Sequence, residues 1–312
     1  MSRLPCIFVI GDSATKLPEL LAGAAGLGDK VCALLPGEQS DADLAFSHGA
    51  HSVYLFPVKK DVIFEDYADS MAKVISAAGG AGLVMLPSSK SSRCLAAKLA
   101  AKLKTACVND VESIATEGGV SVRHMVYGGM AFGTEKFKAS LAIITVGNGV
   151  FEAAAPDASQ KGSVVTAEFV PPAKPLRLLE VRPNESISVD LSKAKRVVSI
   201  GRGLKAREDL SIIEQLATAV GAEVGCTRPV AEAEHWMERE RYIGVSGVML
   251  KNDVFVAIGL SGQIQHMVGA SACKTIVVIN KDKNAPVFKF ADYGIVGDLY
   301  KVVPKMIEAF KA

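Results

Sequence analysis

The chain has 312 residues, of which 49% are hydrophobic and 22% charged, and its formal net charge is +2. This length suits two domains of ordinary size, the apolar fraction fills large cores and excludes disorder, and the balanced charge without a basic block excludes nucleic acid as the main partner. Apolar runs stop after five to eight residues, well short of the roughly 20 that cross a bilayer, and the amino end MSRLPCIFVIGD lacks a leader pattern, so a soluble, cytoplasmic protein without membrane insertion is expected.

The first half alternates short β-rich runs, at 6–10, 31–35, 52–56, 83–86 and 141–146, with Ala- and Leu-rich stretches of helical period. Such alternation predicts α/β architecture, a parallel sheet layered between helices. LAAKLAAKL at 95–103 keeps Leu and Ala on one face and Lys98 and Lys102 on the other, as a helix lying on a sheet does. The preceding SSKSSR, 88–93, has two readings: a phosphate site made of hydroxyls, amides and cations, or a solvated turn with an N-cap serine, the second being favoured. VYGGMAFG at 126–133 carries three glycines among apolar residues, which marks a bend or a contact surface. Pro171, Pro172, Pro175 and Pro183 fall where periodicity fades. The expected division is therefore a first α/β domain over 1–170, a linker over 171–192 and a second domain over 193–312.

The second domain opens with a strand, KRVVSI, running into the turn Gly201-Arg202-Gly203, and a helix is expected over 208–220. The third glycine of the dinucleotide fingerprint is missing. A strand at 223–227 ends in Thr227 and Arg228, so two arginines and a hydroxyl converge on one edge. Next comes VFVAI, 254–258, a continuous apolar run as expected for a strand covered on both faces. Gly259-Leu260-Ser261-Gly262 turns sharply there, and Gln263 opens a short helix whose free amides make this turn a candidate phosphate or flavin-edge site. The strand at 275–279 adds Asn280, Lys281 and Asp282 to the same edge.

The six cysteines show no C-x-x-C pair and no His set for zinc, and read as buried small residues of a reducing compartment. Cys226 adjoins the candidate site and is also weighed as a reactive thiol. His48 and His51 read as solvated.

GRGL at 201–204, Thr227-Arg228, IGVSG at 243–247, GLSGQIQH at 259–266, INKD at 279–282 and ADYGIVGDLYKVVP at 291–304 occur in the order and spacing of the electron transfer flavoprotein alpha subunit. The chain resembles that family over almost its whole length, and AEHWMERERYIGVSG resembles the Fix-type members most. The resemblance implies a Rossmann-like second domain holding FAD, with a beta subunit docked on the first domain and covering the cofactor. It also implies electron transfer without substrate turnover of its own, from an acyl-CoA- or carnitine-type dehydrogenase to a membrane quinone oxidoreductase or a ferredoxin-like low-potential acceptor. By position, Arg202 and Thr227 would hold phosphate and sugar, and Arg228 would lie near the isoalloxazine. Ile243, Gly244, Val245, Ser246, Ser261, Gly262, Gln263, Ile264, Gln265, His266, Asn280, Asp298 and Leu299 complete the implied FAD contacts. Cations and donors near N1 and C2=O stabilise a singly reduced flavin, and Arg228 and His266 are the residues expected to do so. Val245 departs from the Gln of many members, and Ser246 from their Thr.

Blander readings stand beside these. His266 would pack in the first turn of a helix, Arg228 would pair with Glu232 or Glu234, Asp298 would cap a final helix over 299–310, and Trp236 would anchor an interface or sit on an exposed helix. Two other functions compete: a nucleotide-binding oxidoreductase with Arg228 and His266 as acid and base, and a regulatory adenine-nucleotide module.

Overall fold

Nine strands, β1 Ile7–Ile10, β2 Val31–Pro36, β3 Ser52–Phe56, β4 Gly82–Pro87, β5 Cys107–Ala115, β6 Ser121–Val126, β7 Ala131–Lys136, β8 Leu141–Val146 and β9 Ser163–Thr166, form one sheet in the order β7-β6-β5-β8-β4-β1-β2-β3-β9. The structure is a computed structural model that describes residues 2–12, 16–182 and 189–311. Four helices, α1 Leu17–Leu27, α2 Gln39–Ser47, α3 Ala68–Ala77 and α4 Lys90–Leu103, cover the two faces. Ile7 and Val9 of β1 enter the core beneath α1 and α2, while Phe8 and Ile10 enter the core beneath α3 and α4. Both faces are thus dry, which is why these strands read as unbroken apolar runs rather than alternating ones.

The sheet is not parallel throughout. Strand β5 joins β8 in parallel, but β6 pairs antiparallel with β5 and with β7. Those strands alternate with exposed positions and carry charge, so they lack the run that marked the others. Their turns use glycine at positive φ, Gly118 (67°) and Gly119 (110°) between β5 and β6, Gly128 (65°) and Gly129 (90°) between β6 and β7. The 126–133 passage is therefore a hairpin tip. Tyr127, Met130 and Phe132 are 83%, 71% and 47% exposed, and the Arg123 guanidinium stacks 3.8 Å over the Phe132 ring.

A second sheet is entirely parallel: β10 Arg196–Ile200, β11 Glu223–Cys226, β12 Val254–Ile258, β13 Thr275–Asn280 and β14 Tyr293–Val296, in the order β11-β10-β12-β13-β14. The helices are α5 Leu210–Val220, α6 Arg228–Glu232, α7 Ile264–Met267 and α8 Leu299–Lys311. Val198 and Ile200 pack with Ile213 and Leu216 of α5 and Val303 and Ile307 of α8, while Val197, Phe255 and Ala257 pack with Met267 on the other face. The expected helix over 208–220 starts as a 3-10 turn, Arg207–Asp209, before α5, which ends at Gly221 in the left-handed conformation.

Two compact units result, Met1–Val126 with Ala131–Arg182, and Tyr127–Met130 with Pro183–Ala312. The 171–192 stretch is held at particular points. The Leu176 amide donates to the Asp66 carboxylate at 2.8 Å, Val62 and Arg177 form a bridge, and Leu191 is fully buried in the second unit; residues 183–188 lie outside the described ones.

Candidate functional site

In the second unit β10 and β12 are neighbours, while the strands that follow each of them in sequence, β11 and β13, lie on opposite sides. The chain therefore leaves the carboxyl ends of β10 and β12 in opposite directions, and this switch point opens a crevice where parallel α/β sheets bind ligands. Both strand ends carry glycine turns that meet back to back. A Cβ on Gly201 would lie 2.6 Å from the Leu260 Cα, and one on Gly203 2.6 Å from the Gly259 Cα and carbonyl oxygen. The Gly203 amide donates to the Gly259 carbonyl at 2.8 Å, and Gly259 sits at φ +60°. Only residues without side chains permit this approach, which sets Arg202, exposed between its two glycines, at the rim.

Thr227 follows β11, its amide bonded to the Ile200 carbonyl at 2.9 Å. Arg228 begins α6 and is exposed, and its Nε pairs with Glu232 at 2.5 Å, the carboxylate also holding Arg239 at 3.2 Å. The ion pair set beside the flavin reading in the sequence is thus present. An exposed pair of this kind is weak and releases its guanidinium readily.

The loop 243–248 and the turn after β12 are stitched together. The Val245 amide donates to the Gln265 carbonyl at 2.8 Å, and a Cβ on Gly269 would strike the Gly244 amide nitrogen at 2.4 Å. Ser261, Gln263, Ile264 and Gln265 are exposed along the turn, Gly262 is pressed against Val287 at φ +81°, and α7 is a single helical turn. His266 is 7% exposed, and its Nδ1 is 2.9 Å from the Ile243 carbonyl oxygen. Burial pushes the ring down to about 4, so it is neutral near pH 7 with the proton on Nδ1. Nε2 is then a buried lone pair with no partner. In this state it accepts a hydrogen bond, so the donor role expected of His266 requires a second proton on the ring.

Other expected contacts have structural work of their own. Asn280 donates from Nδ2 to the Leu260 carbonyl at 2.8 Å and accepts the Asp282 amide at 2.9 Å, fixing the same edge. Asp298 accepts the Tyr300 amide at 3.0 Å and starts α8, with Leu299 buried behind it. Cys226 is fully buried and its thiol is pushed up to about 12 by burial, which removes the reactive reading. Trp236 lies beyond the end of α6 and is half-buried, packed in part against the core of the second unit. Sequence reasoning missed Tyr242, whose hydroxyl bonds the Ser246 carbonyl, because nothing in the local pattern distinguishes it from any buried aromatic.

The SSKSSR passage of the first unit is an N-cap turn. Ser89 accepts the Ser92 amide at 3.0 Å at the start of α4, and the Asp12 carboxylate accepts the hydroxyls of Ser89, of Ser91 at 3.4 Å and of Ser92 at 3.0 Å. Arg93 pairs with Asp110 at 2.5 Å. The chain's own carboxylate takes the place a phosphate would need. Among the described residues no group of three His, Cys, Asp or Glu side chains could hold a metal, and no helix is long and apolar enough to cross a membrane.

The crevice fits an FAD on two observations: the two glycine turns packed on each other at the switch point, with Arg202 exposed on one and Ser261 on the other, and, in the helical turn that follows, the buried His266 Nε2 without a protein partner. Comparison with known proteins agrees. A family model described as "Electron transfer flavoprotein FAD-binding domain" matches residues 190–271, and one described as "Electron transfer flavoprotein domain" matches residues 18–172. Over 311 residues the chain is 45% identical to Protein FixB of Escherichia coli O139:H28, to that of Escherichia coli O157:H7 and to that of Shigella flexneri, covering 99% of this chain and 99% of each relative.

Proposed function

Because the chain belongs to the electron transfer flavoprotein alpha-subunit family, in its FixB branch, we propose that it is an electron-carrying subunit whose FAD lies along the carboxyl edge of β10 and β12. Bound FAD supplies the one-electron chemistry, and the chain binds, orients and tunes it. The observation that carries this reading is the contact of the two glycine turns at the switch point, which leaves Arg202 exposed at the strand ends.

In this reading Arg202 and Thr227 hold the phosphate and sugar region, where a guanidinium and a hydroxyl suit an anionic diphosphate. Arg228 exchanges Glu232 for the flavin edge. Ile243, Gly244, Val245 and Ser246 border the ring together with Ser261, Gly262, Gln263, Ile264, Gln265 and His266, while Asn280, Asp298 and Leu299 close the remaining contacts. Val245 has no polar side chain and its backbone amide is spent on Gln265, so it lacks the side-chain contact that a Gln there would offer the flavin.

The electrons come from an acyl-CoA- or carnitine-type dehydrogenase and leave to a quinone oxidoreductase or a ferredoxin-like acceptor. An electron transfer flavoprotein beta subunit docks on the first unit and covers the cofactor. The test is the visible spectrum of the pair purified after co-expression, mixed with an acyl-CoA dehydrogenase and its substrate. Flavin bands that bleach only when dehydrogenase and substrate are both present support the reading. Flavin bands that never respond to an acyl-CoA or carnitine-type dehydrogenase overturn the assignment of donor.

A further inference from the structure

Tyr242 immediately precedes the loop 243–248 and is 3% exposed. It lies beside the carboxyl end of β11, bridged to Cys226, with the Ile243 amide donating to the Cys226 carbonyl at 3.0 Å. Three parts of this one residue meet three successive residues of the loop. Its hydroxyl donates to the Ser246 carbonyl, its ring lies where a Cβ on Gly247 would come within 2.4 Å, and its carbonyl accepts the Val248 amide at 2.9 Å. The loop's other side is held by the turn after β12, through Val245 to Gln265 and His266 to Ile243. The exposed residues Val245, Ser246 and Gly247 are thus clamped from below by an aromatic that does not itself reach the surface.

We propose that Tyr242 is a positioning residue for the bound flavin, acting through Ser246: its hydroxyl fixes the Ser246 backbone and thereby the direction in which the Ser246 hydroxyl is presented. This rests on the FAD site proposed above. A phenol buried at 3% exposure must give its hydroxyl a partner, and the partner available is the carbonyl of the residue expected to touch the ring. Loss of the hydroxyl leaves the ring, the Gly247 contact and the backbone bonds in place, so the effect is confined to the orientation of Ser246 and to how often the loop around it opens.

The experiment is a double-mutant cycle on the FAD-loaded pair, with Tyr242→Phe, Ser246→Ala and the double variant, read as the midpoint potential of bound FAD and its visible absorption maximum. Tyr242→Phe is expected to shift both in the same direction as Ser246→Ala, and the double variant to show no shift beyond that of Ser246→Ala. A Tyr242→Phe pair with unchanged potential and spectrum, or shifts that add in the double variant, overturns the proposal while leaving the FAD site standing. A pair that holds no FAD even as wild type overturns the proposed function instead. Amide exchange of residues 245–248 in the chain alone keeps the positioning claim testable in that case. Tyr242→Phe should exchange several-fold faster there and no faster in β10 or β12, and equal exchange in the loop overturns it.

Discussion

His266 donates its Nδ1 hydrogen to the Ile243 carbonyl across 2.9 Å, joining the turn after β12 to the loop 243–248 and leaving Nε2 as the one ring nitrogen without a protein partner. This single contact fixes the tautomer, orients the ring and couples two stretches expected to touch the same cofactor. Its energetic signature should be visible without any cofactor.

The native ring takes its second proton only near pH 4, whereas an unfolded histidine does so near 6.5. Between those values the unfolded chain binds more protons, so stability is unaffected above about pH 6.5 and falls as the pH drops through the window, by up to about 3 kcal/mol once pH 4 is passed. Urea unfolding of the cofactor-free chain at about pH 7.5 and about pH 5, followed by the fluorescence of Trp236 in the second core, measures this. His266→Asn keeps a donor for Ile243 without titrating, and should lose about 2 kcal/mol less than wild type between the two conditions.

Arg228 and Glu232 should move the flavin in opposite directions. Arg228→Ala removes the cation and should lower the first one-electron potential of bound FAD, whereas Glu232→Gln releases the guanidinium from its 2.5 Å pair and should raise it. Redox titration of the two variant pairs reads both signs, and shifts of the same sign would contradict the arrangement.

Gly203→Ala places a methyl 2.6 Å from the Gly259 backbone, where nothing flexible can yield, so the two turns must part. A cost of about 1 to 3 kcal/mol is expected, together with weaker FAD retention on gel filtration. Gly26→Ala in α1 meets nothing within 4 Å and should instead stabilise the first unit by up to about 1 kcal/mol.

The hairpin tip supplies the prediction about the partner. Met130 and Phe132 are exposed beside Gly128, which has nothing within 4 Å of its Cβ position, so a second chain can approach the backbone there and find apolar anchors, while Gly129 is already packed against Val268. Met130→Glu should weaken association with the beta subunit by about tenfold or more while changing the stability of the isolated chain by less than about 0.5 kcal/mol. Light scattering of the mixed subunits and urea unfolding of the chain alone separate the two effects.

The strands buried on both faces were legible because burial leaves an unbroken apolar run, and VFVAI at Val254–Ile258 is found where that run predicts. Strands β5, β6 and β7 were not, because a half-exposed antiparallel hairpin alternates its residues and its glycines read as breaks until the turn geometry is seen. At the candidate site, the residue types and their order along the chain were legible, but the partners were not. Neither the Glu232 pair of Arg228 nor the tautomer of His266 follows from spacing, since both depend on which backbone and side-chain atoms tertiary packing brings within hydrogen-bond reach. The Asp12 carboxylate over the serines of α4 is of the same kind, about 77 residues away in sequence yet settling that passage as a cap.

The most direct measurement is FAD bound per alpha chain in the pair co-purified with the beta subunit, for wild type and for Gly203→Ala, followed by potentiometric titration of the wild type. The wild-type flavin is expected to reduce in two separated one-electron steps, and the Gly203→Ala pair to retain less FAD than wild type. A colourless wild-type pair, or a Gly203→Ala pair that keeps its full FAD, would contradict it.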